Sequence, residues 1–139
     1  MTERVFTGHV GIGPAVTGPA LVADDNFSAR YDLDRLRGTF SRPTHKLAGE
    51  SYVDKVLVLN IAKGGVATAW MLREMAARGK APLALLLNFA NPIMAQGAVH
   101  AGFPLIDRFE EDITRAIETG DEVLVEPLLG RVVVRPGRA

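Results

Sequence analysis

Cysteine is missing from this chain altogether. Its absence excludes disulfides, thiolate nucleophiles, zinc–thiolate sites and cysteine-held iron–sulfur clusters, so any such cluster would have to sit on a partner. A surplus of charge is missing too. Lys and Arg number 16 and so do Asp and Glu, which leaves no net charge to draw the chain onto a phosphate backbone or an anionic membrane. Neither nucleic acid nor membrane is expected as a partner. The longest apolar stretches, Val56–Ile61 and Ala81–Leu87, fall far short of the roughly 20 residues a membrane helix needs. Met1-Thr2-Glu3-Arg4-Val5-Phe6 lacks the basic and then apolar profile of a secretion signal, so a cytoplasmic location is expected. Histidine is scarce: His9, His45 and His100 stand at no metal-ligand spacing, and no metal site is expected in the chain.

What is present suits one domain. The 139 residues, 47% of them apolar, supply one hydrophobic core and not two, with no internal repeat and no dividing linker. A single domain over 1–139 is expected. The first half is rich in Gly, Pro, Asp and Ser, with apolar residues in short groups, the texture of strands joined by turns. Gly18–Ala23 and the alternating Ser28–Leu33 read as strands, and Arg37–Leu47 as an irregular loop. The first few residues and Pro136-Gly137-Arg138-Ala139 read as frayed ends.

From Lys55 the character changes. Val56–Ile61 is a continuous aliphatic run, the signature of a strand covered on both faces. Val66–Arg78 carries helix formers, with Ala69, Leu72, Met75 and Ala76 at helical spacing and Gly79 as the stop. Pro82–Asn88 reads as a second buried strand, Pro92–Ala101 as a short helix, Phe103–Ile106 as a third strand and Glu110–Ile117 as a last helix. Glu122–Glu126 and Arg131–Arg135 flank Leu129-Gly130 as a hairpin. Strand, helix, strand, helix, strand implies a parallel βαβ core, on which the first half and the hairpin pack as an additional β layer. The fold class is α/β.

The sharpest chemical signal lies at Asn60-Ile61-Ala62-Lys63-Gly64-Gly65-Val66-Ala67-Thr68. A buried strand that turns through Gly-Gly into a helix exposes free backbone N–H groups at the positive end of the helix dipole, and Lys63 adds a full charge. Lys63, Gly64 and Gly65 thus form a candidate anion pocket; the alternative is a turn that only permits close packing. The spacing is neither a P-loop nor a dinucleotide fingerprint. Thr68 is the nearest hydroxyl. His45, in the polar loop Pro43–Gly49, is a candidate to face a carboxylate or phosphate, with a plain solvated loop as the alternative. Asp34 reads as a turn residue, and the Glu110–Asp112 group as a helix cap.

These pieces resemble, in order, the aconitase X swivel-domain family, which also occurs as a separate small subunit. The resemblance rests on Gly18-Pro19-Ala20-Leu21-Val22, Asp32–Gly38, His45-Lys46-Leu47-Ala48-Gly49, Val56–Gly65, Ala81-Pro82, Asn91–Ala98 and Thr119-Gly120-Asp121-Glu122-Val123. It implies a swivelling β/β/α domain that closes over the active site of a large aconitase X-type catalytic subunit. It also implies that the pair is a hydro-lyase, with substrates such as cis-3-hydroxy-L-proline or a phosphomevalonate, and that the large subunit supplies the iron–sulfur cluster or metal. The chain would then need no cofactor of its own and would not be active alone. On this reading Lys63 with the N–H groups of Gly64 and Gly65 would hold a substrate carboxylate or phosphate, and His45 is a second-rank pocket residue. One departure stands out: Gly65 occupies the place where the family has a serine presumed to be the general base, and a glycine cannot take a proton. Thr68 is left as the candidate for proton transfer. The alternative to the catalytic role is a non-catalytic or regulatory subunit that has lost the serine; a free-standing binding domain has only the anion turn in its favour.

Overall fold

The computed structural model describes residues 3–11, 13–26, 33–34, 37–62, 66–90, 96 and 103–136. Its elements run β1 (Arg4–Thr7), β2 (Val16–Val22), β3 (Leu33–Asp34), β4 (Thr39–Phe40), β5 (Val56–Ala62), α1 (Val66–Ala77), β6 (Ala84–Ala90), β7 (Leu105–Ile106), α2 (Ile113–Ala116), β8 (Glu122–Glu126), a 3-10 turn (Pro127–Leu129) and β9 (Arg131–Arg135). Seven strands form one mixed sheet in the order β1-β9-β8-β2-β5-β6-β7, and β3 with β4 makes a separate ribbon.

β5 lies inside the parallel part of the sheet, bonded to β2 on one side and β6 on the other. Its aliphatic run is the reason. Val56, Leu57, Val58 and Leu59 have no exposed surface, so both faces need cover, and an α/β sheet supplies it from opposite sides. Leu57 and Leu59 pack with Leu85, Leu87, Met75 of α1, Phe40 and Tyr52. Val56 and Val58 pack on the other face with Leu86, Ile113 and Ile117, and with Val123, Val125, Val132 and Val134 of the hairpin. Truncating any of these buried Leu or Ile side chains to Ala costs about 2–5 kcal/mol by the usual cavity arithmetic.

The expected parallel βαβ core is therefore present, and the additional β layer is continuous with it. β2 makes the connection. Its residues Val16–Pro19 pair antiparallel with β8, whereas Ala20–Val22 pair parallel with β5. Pro19, which has no N–H to donate, falls at the changeover. Beyond it the antiparallel strands roll over the sheet face. The roll brings the segment after β1 to the opposite edge, where the His9 N–H donates to the Asp107 carbonyl at 2.9 Å and the Gly11 N–H to that of Pro127 at 2.8 Å. Gly8 is close enough that a Cβ there would lie 2.6 Å from the Asp107 carbonyl oxygen, and one on Gly11 would overlap that of Leu105.

Most of the expected elements appear within a residue or two of their expected ends. The hairpin strands coincide with Glu122–Glu126 and Arg131–Arg135. Asp112 caps α2, its carboxylate accepting the Thr114 N–H, and the Asp34 carboxylate and carbonyl accept the Arg37 and Gly38 N–H groups in a turn. Three expectations need correction. The N-terminal residues are not frayed: Arg4–Thr7 pair with β9, Phe6 enters the core, and the Arg4 guanidinium donates to the Ala116 carbonyl at 2.6 Å. Arg37–Leu47 is not all loop, because β4 pairs with β3 and buries Phe40. Ala76 of α1 is exposed, and Met75 alone of the Met75-Ala76 pair is buried. Most of the strand expected over Ser28–Leu33, the helix over Pro92–Ala101 except Gln96, and His100 lie outside the described residues.

The rolled closure gives a test. Gly11→Ala forces a Cβ into a backbone carbonyl that is itself tied into the sheet edge, so it is expected to cost about 2 kcal/mol or more. A lowered midpoint in urea with little change in m would register that cost.

Candidate functional site

In open α/β sheets the crevice beyond the carboxyl ends of the parallel strands is where ligands bind, because the strands end there and the next helix begins. In this chain that end is defined by the residues after β2 (Ala23–Asn26), the end of β5 (Asn60–Ala62), the start of α1, the end of β6 (Asn88–Ala90) and Asp107–Asp112 after β7. Polar groups gather there after four strands of nearly continuous apolar sequence.

α1 begins at Val66, directly after the Gly-Gly pair, and has no acidic residue in its first turn. The helix N-terminus expected for the anion turn is therefore at the carboxyl end of the central strand, with its dipole free of an internal counter-charge. Lys63, Gly64 and Gly65 themselves lie outside the described residues. Thr68 is in the first turn of α1.

His45 is only 3% exposed. Its ring stacks on Phe40, with centroids 4.6 Å apart. The Leu47 N–H donates to Nδ1 at 3.0 Å, and Nε2 is 2.8 Å from the Asn26 carbonyl oxygen. An Nδ1 that accepts carries no proton, so these two contacts select the tautomer that donates from Nε2 to Asn26. The same Nε2 lies 3.8 Å from Asp25 Oδ2. The imidazole thus pins the segment after β2, and the Asp25 carbonyl in turn accepts the Asn60 N–H of β5 at 2.8 Å. His45 reaches the sheet end through the backbone that it holds.

Asp25 is the charged member of this group. Burial pushes its carboxyl up, but the N–H groups of Lys46 and Asn26, the nearby Nε2–H of His45 and the charge of Arg42 outweigh that, and its pKa is lowered. The carboxylate accepts from Lys46 at 3.1 Å and from Asn26 at 2.8 Å.

A second polar group spans β5, β6 and α2, and the sequence patterns do not bring its members together. The Asn88 amide donates to Asn60 Oδ1 at 3.0 Å and to Asp112 Oδ1 at 2.8 Å, while its own oxygen accepts the Ile113 N–H at 2.9 Å. Every hydrogen-bonding direction of that side chain toward its neighbours is used, which fixes the amide orientation. Asp112 also accepts from Thr114 Oγ1 at 2.6 Å. Hydrogen bonds from the Thr114 and Asn88 side chains hold its pKa low. The only available signal was an Asn at each of two strand ends, which by sequence reads as a chain leaving the sheet.

Among the described residues no group of three or more His, Asp or Glu side chains could hold a metal ion, and cysteine is absent from the whole chain. The chain thus offers no thiolate to an iron–sulfur cluster. No described helix is long and apolar enough to cross a membrane.

Comparison with known proteins agrees with this architecture. The sequence pattern of the aconitase X swivel domain matches residues 5–134. The chain is 34% identical over 123 residues to the phosphomevalonate dehydratase small subunit of Methanocella arvoryzae, covering 88% of this chain and 93% of that one. It is 33% identical over 125 residues to the protein of the same description from Pyrococcus horikoshii, covering 89% and 91%. The crystal structure of Thermococcus kodakaraensis aconitase X in its holo-form superposes with a TM-score of 0.86 over 96% of this chain and 99% of that chain, at 23% identity. At that identity the likeness speaks for the fold.

Two outcomes follow from the polar groups. Asn88→Ala leaves the Ile113 N–H and Asn60 Oδ1 without their partner and is expected to lower stability by about 2–3 kcal/mol, measured by urea unfolding. Asp25 has a folded pKa below its ordinary 3.8, so its contribution to stability is complete above that value and disappears as the pH falls through the lowered one. The thermal midpoint should therefore decline on acidification below about pH 4, and less steeply in Asp25→Asn.

Proposed function

The chain belongs to the aconitase X swivel-domain family, and on that premise we propose that it is the small subunit of a two-subunit hydro-lyase that dehydrates phosphomevalonate or a closely similar hydroxy acid. The observation that carries this reading is the near full-length match to proteins described as phosphomevalonate dehydratase small subunits, at 34% identity over 93% of one such protein. The partner is a large aconitase X-type catalytic subunit, which carries the iron–sulfur cluster or metal. Such a group supplies Lewis-acid assistance to the departing hydroxyl. The small domain closes the site and adds binding groups.

Dehydration of a hydroxy acid removes a proton from the carbon beside the carboxylate and expels the hydroxyl from the next carbon. The chain's part in this is electrostatic. Lys63 and the backbone N–H groups of Gly64 and Gly65, at the start of α1, hold an anionic group of the substrate; fixed N–H donors in a closed site need no reorganisation as charge develops. His45 acts from behind this surface by fixing Asp25 and Asn26 against β5. Thr68 is the hydroxyl nearest the turn in sequence and the candidate for proton transfer. Its hydroxyl is a weak base unless a neighbour activates it, so the principal base is assigned to the large subunit.

Coexpression with the aconitase-like large protein tests this. The pair is expected to dehydrate phosphomevalonate and neither protein to do so alone. Loss of one charge-assisted contact of about 1.5–3 kcal/mol predicts that Lys63→Ala lowers kcat/KM at least tenfold. Thr68→Ala should lower kcat with less change in KM. Full activity in both variants removes the site assignment, and a large subunit equally active alone makes this chain a non-catalytic partner.

A further inference from the structure

Arg108 stands immediately beyond β7 with its backbone in the left-handed region, at φ 57°, where residues other than glycine are uncommon. A β-carbon is strained there, and the surrounding contacts hold the residue in place. Its N–H donates to the Asn88 carbonyl at 3.0 Å. The guanidinium carbon lies 4.9 Å from the centre of the Phe89 ring, and Nε is 3.6 Å from Asp107 Oδ2. That carboxylate oxygen also accepts the Ala90 N–H at 3.0 Å. The guanidinium, 45% exposed at its side chain, keeps donors to spare, because a guanidinium carries five.

The floor beneath it is apolar and open. Ile61 and Phe89 are direct cross-strand neighbours at the carboxyl ends of β5 and β6. They continue the rows Leu57–Leu59 and Leu85–Leu87, which face α1, yet they are 38% and 39% exposed. A strained, outward-facing cation laid over an exposed aromatic ring, beside the strand end that leads into the Lys63 turn, has the make-up of a small-ligand site: an apolar wall with a few placed polar groups.

We propose that Arg108 holds an anionic group of the substrate, with Ile61 and Phe89 against the adjoining carbon chain. The inference rests on the hydro-lyase reading and deepens it: Arg108 becomes a residue that sets the preference for one of the two anionic ends of phosphomevalonate. An arginine suits either a carboxylate or a phosphate because its fork matches both. The two ends are told apart by removing one of them.

The test uses the two-subunit complex with phosphomevalonate and with mevalonate, which lacks the phosphate, and reads both KM and equilibrium binding by calorimetry. Arg108→Gly removes the guanidinium and relieves the left-handed backbone, so its thermal midpoint is expected to stay level or rise. In the same variant KM and Kd for phosphomevalonate should rise at least tenfold, and the preference over mevalonate should collapse. An equal rise for both compounds would place the carboxylate, and not the phosphate, at Arg108. Unchanged Kd and KM for phosphomevalonate in Arg108→Gly overturn the proposal. A fall in stability with Kd and KM unchanged for both compounds likewise overturns it and leaves Arg108 a structural residue. A complex that binds phosphomevalonate but does not turn it over refutes the hydro-lyase reading, and its Kd values still decide the role of Arg108. If neither compound binds the complex, both readings fail.

Discussion

Everything in this molecule depends on the burial of one strand on both its faces. Val56–Leu59 of β5 have no exposed surface, and a strand in that condition cannot be stabilised by its sheet alone. One face takes α1, the β3–β4 ribbon and the aromatic pair Phe40 and Tyr52. The other takes α2 and the rolled antiparallel strands. A chain of 139 residues has little to spare for such double cover, and one sheet serves as its own second layer. The glycines at 8 and 11 permit the close backbone approach that this closure requires.

The same constraint decides where chemistry can lie. Buried strands leave no room for polar side chains until they end, and the ends of β5 and β6 carry Asn60 and Asn88, linked to each other and to the cap of α2. Behind them Asp25 and His45 tie the β2 exit to β5. A partly satisfied polar network in such a setting is costly, and the Asn88 amide meets this with a partner for each of its polar atoms. The result is a hydrogen-bonded rim at the ends of β5 and β6. On the proposed function, donors already oriented when the two parts meet are what such a rim can add.

The elements legible in the sequence were those whose signal is local. The β5 run, the helix bounded by Gly79 and the hairpin around Leu129-Gly130 each carry their own periodicity or turn chemistry, and each is found where the pattern placed it. β1 was not legible, because Arg4-Val5-Phe6-Thr7 is too short to show a pattern and owes its order to pairing with β9 and to the Arg4 bond to Ala116. β4 was hidden for the same reason: two residues become a strand only because Leu33 lies opposite Phe40. Of the site, the helix start after the Gly-Gly turn was legible, since a turn motif is contiguous. The linked Asn60, Asn88 and Asp112 come from three separate segments and become neighbours only when β5, β6 and α2 are assembled.

By itself, then, the sequence determined the class of the fold, the buried parallel centre, the helix that leaves it and the lack of any cysteine for a cluster. These depend on interactions within a few residues or on composition. Only the tertiary structure decided that the extra β layer belongs to the same sheet and that the first strand is part of it. It also decided that His45 turns inward to pin a backbone, and that Arg108 is held in a left-handed conformation over Phe89. Each of those depends on groups far apart in the chain, brought together by packing that no local pattern encodes.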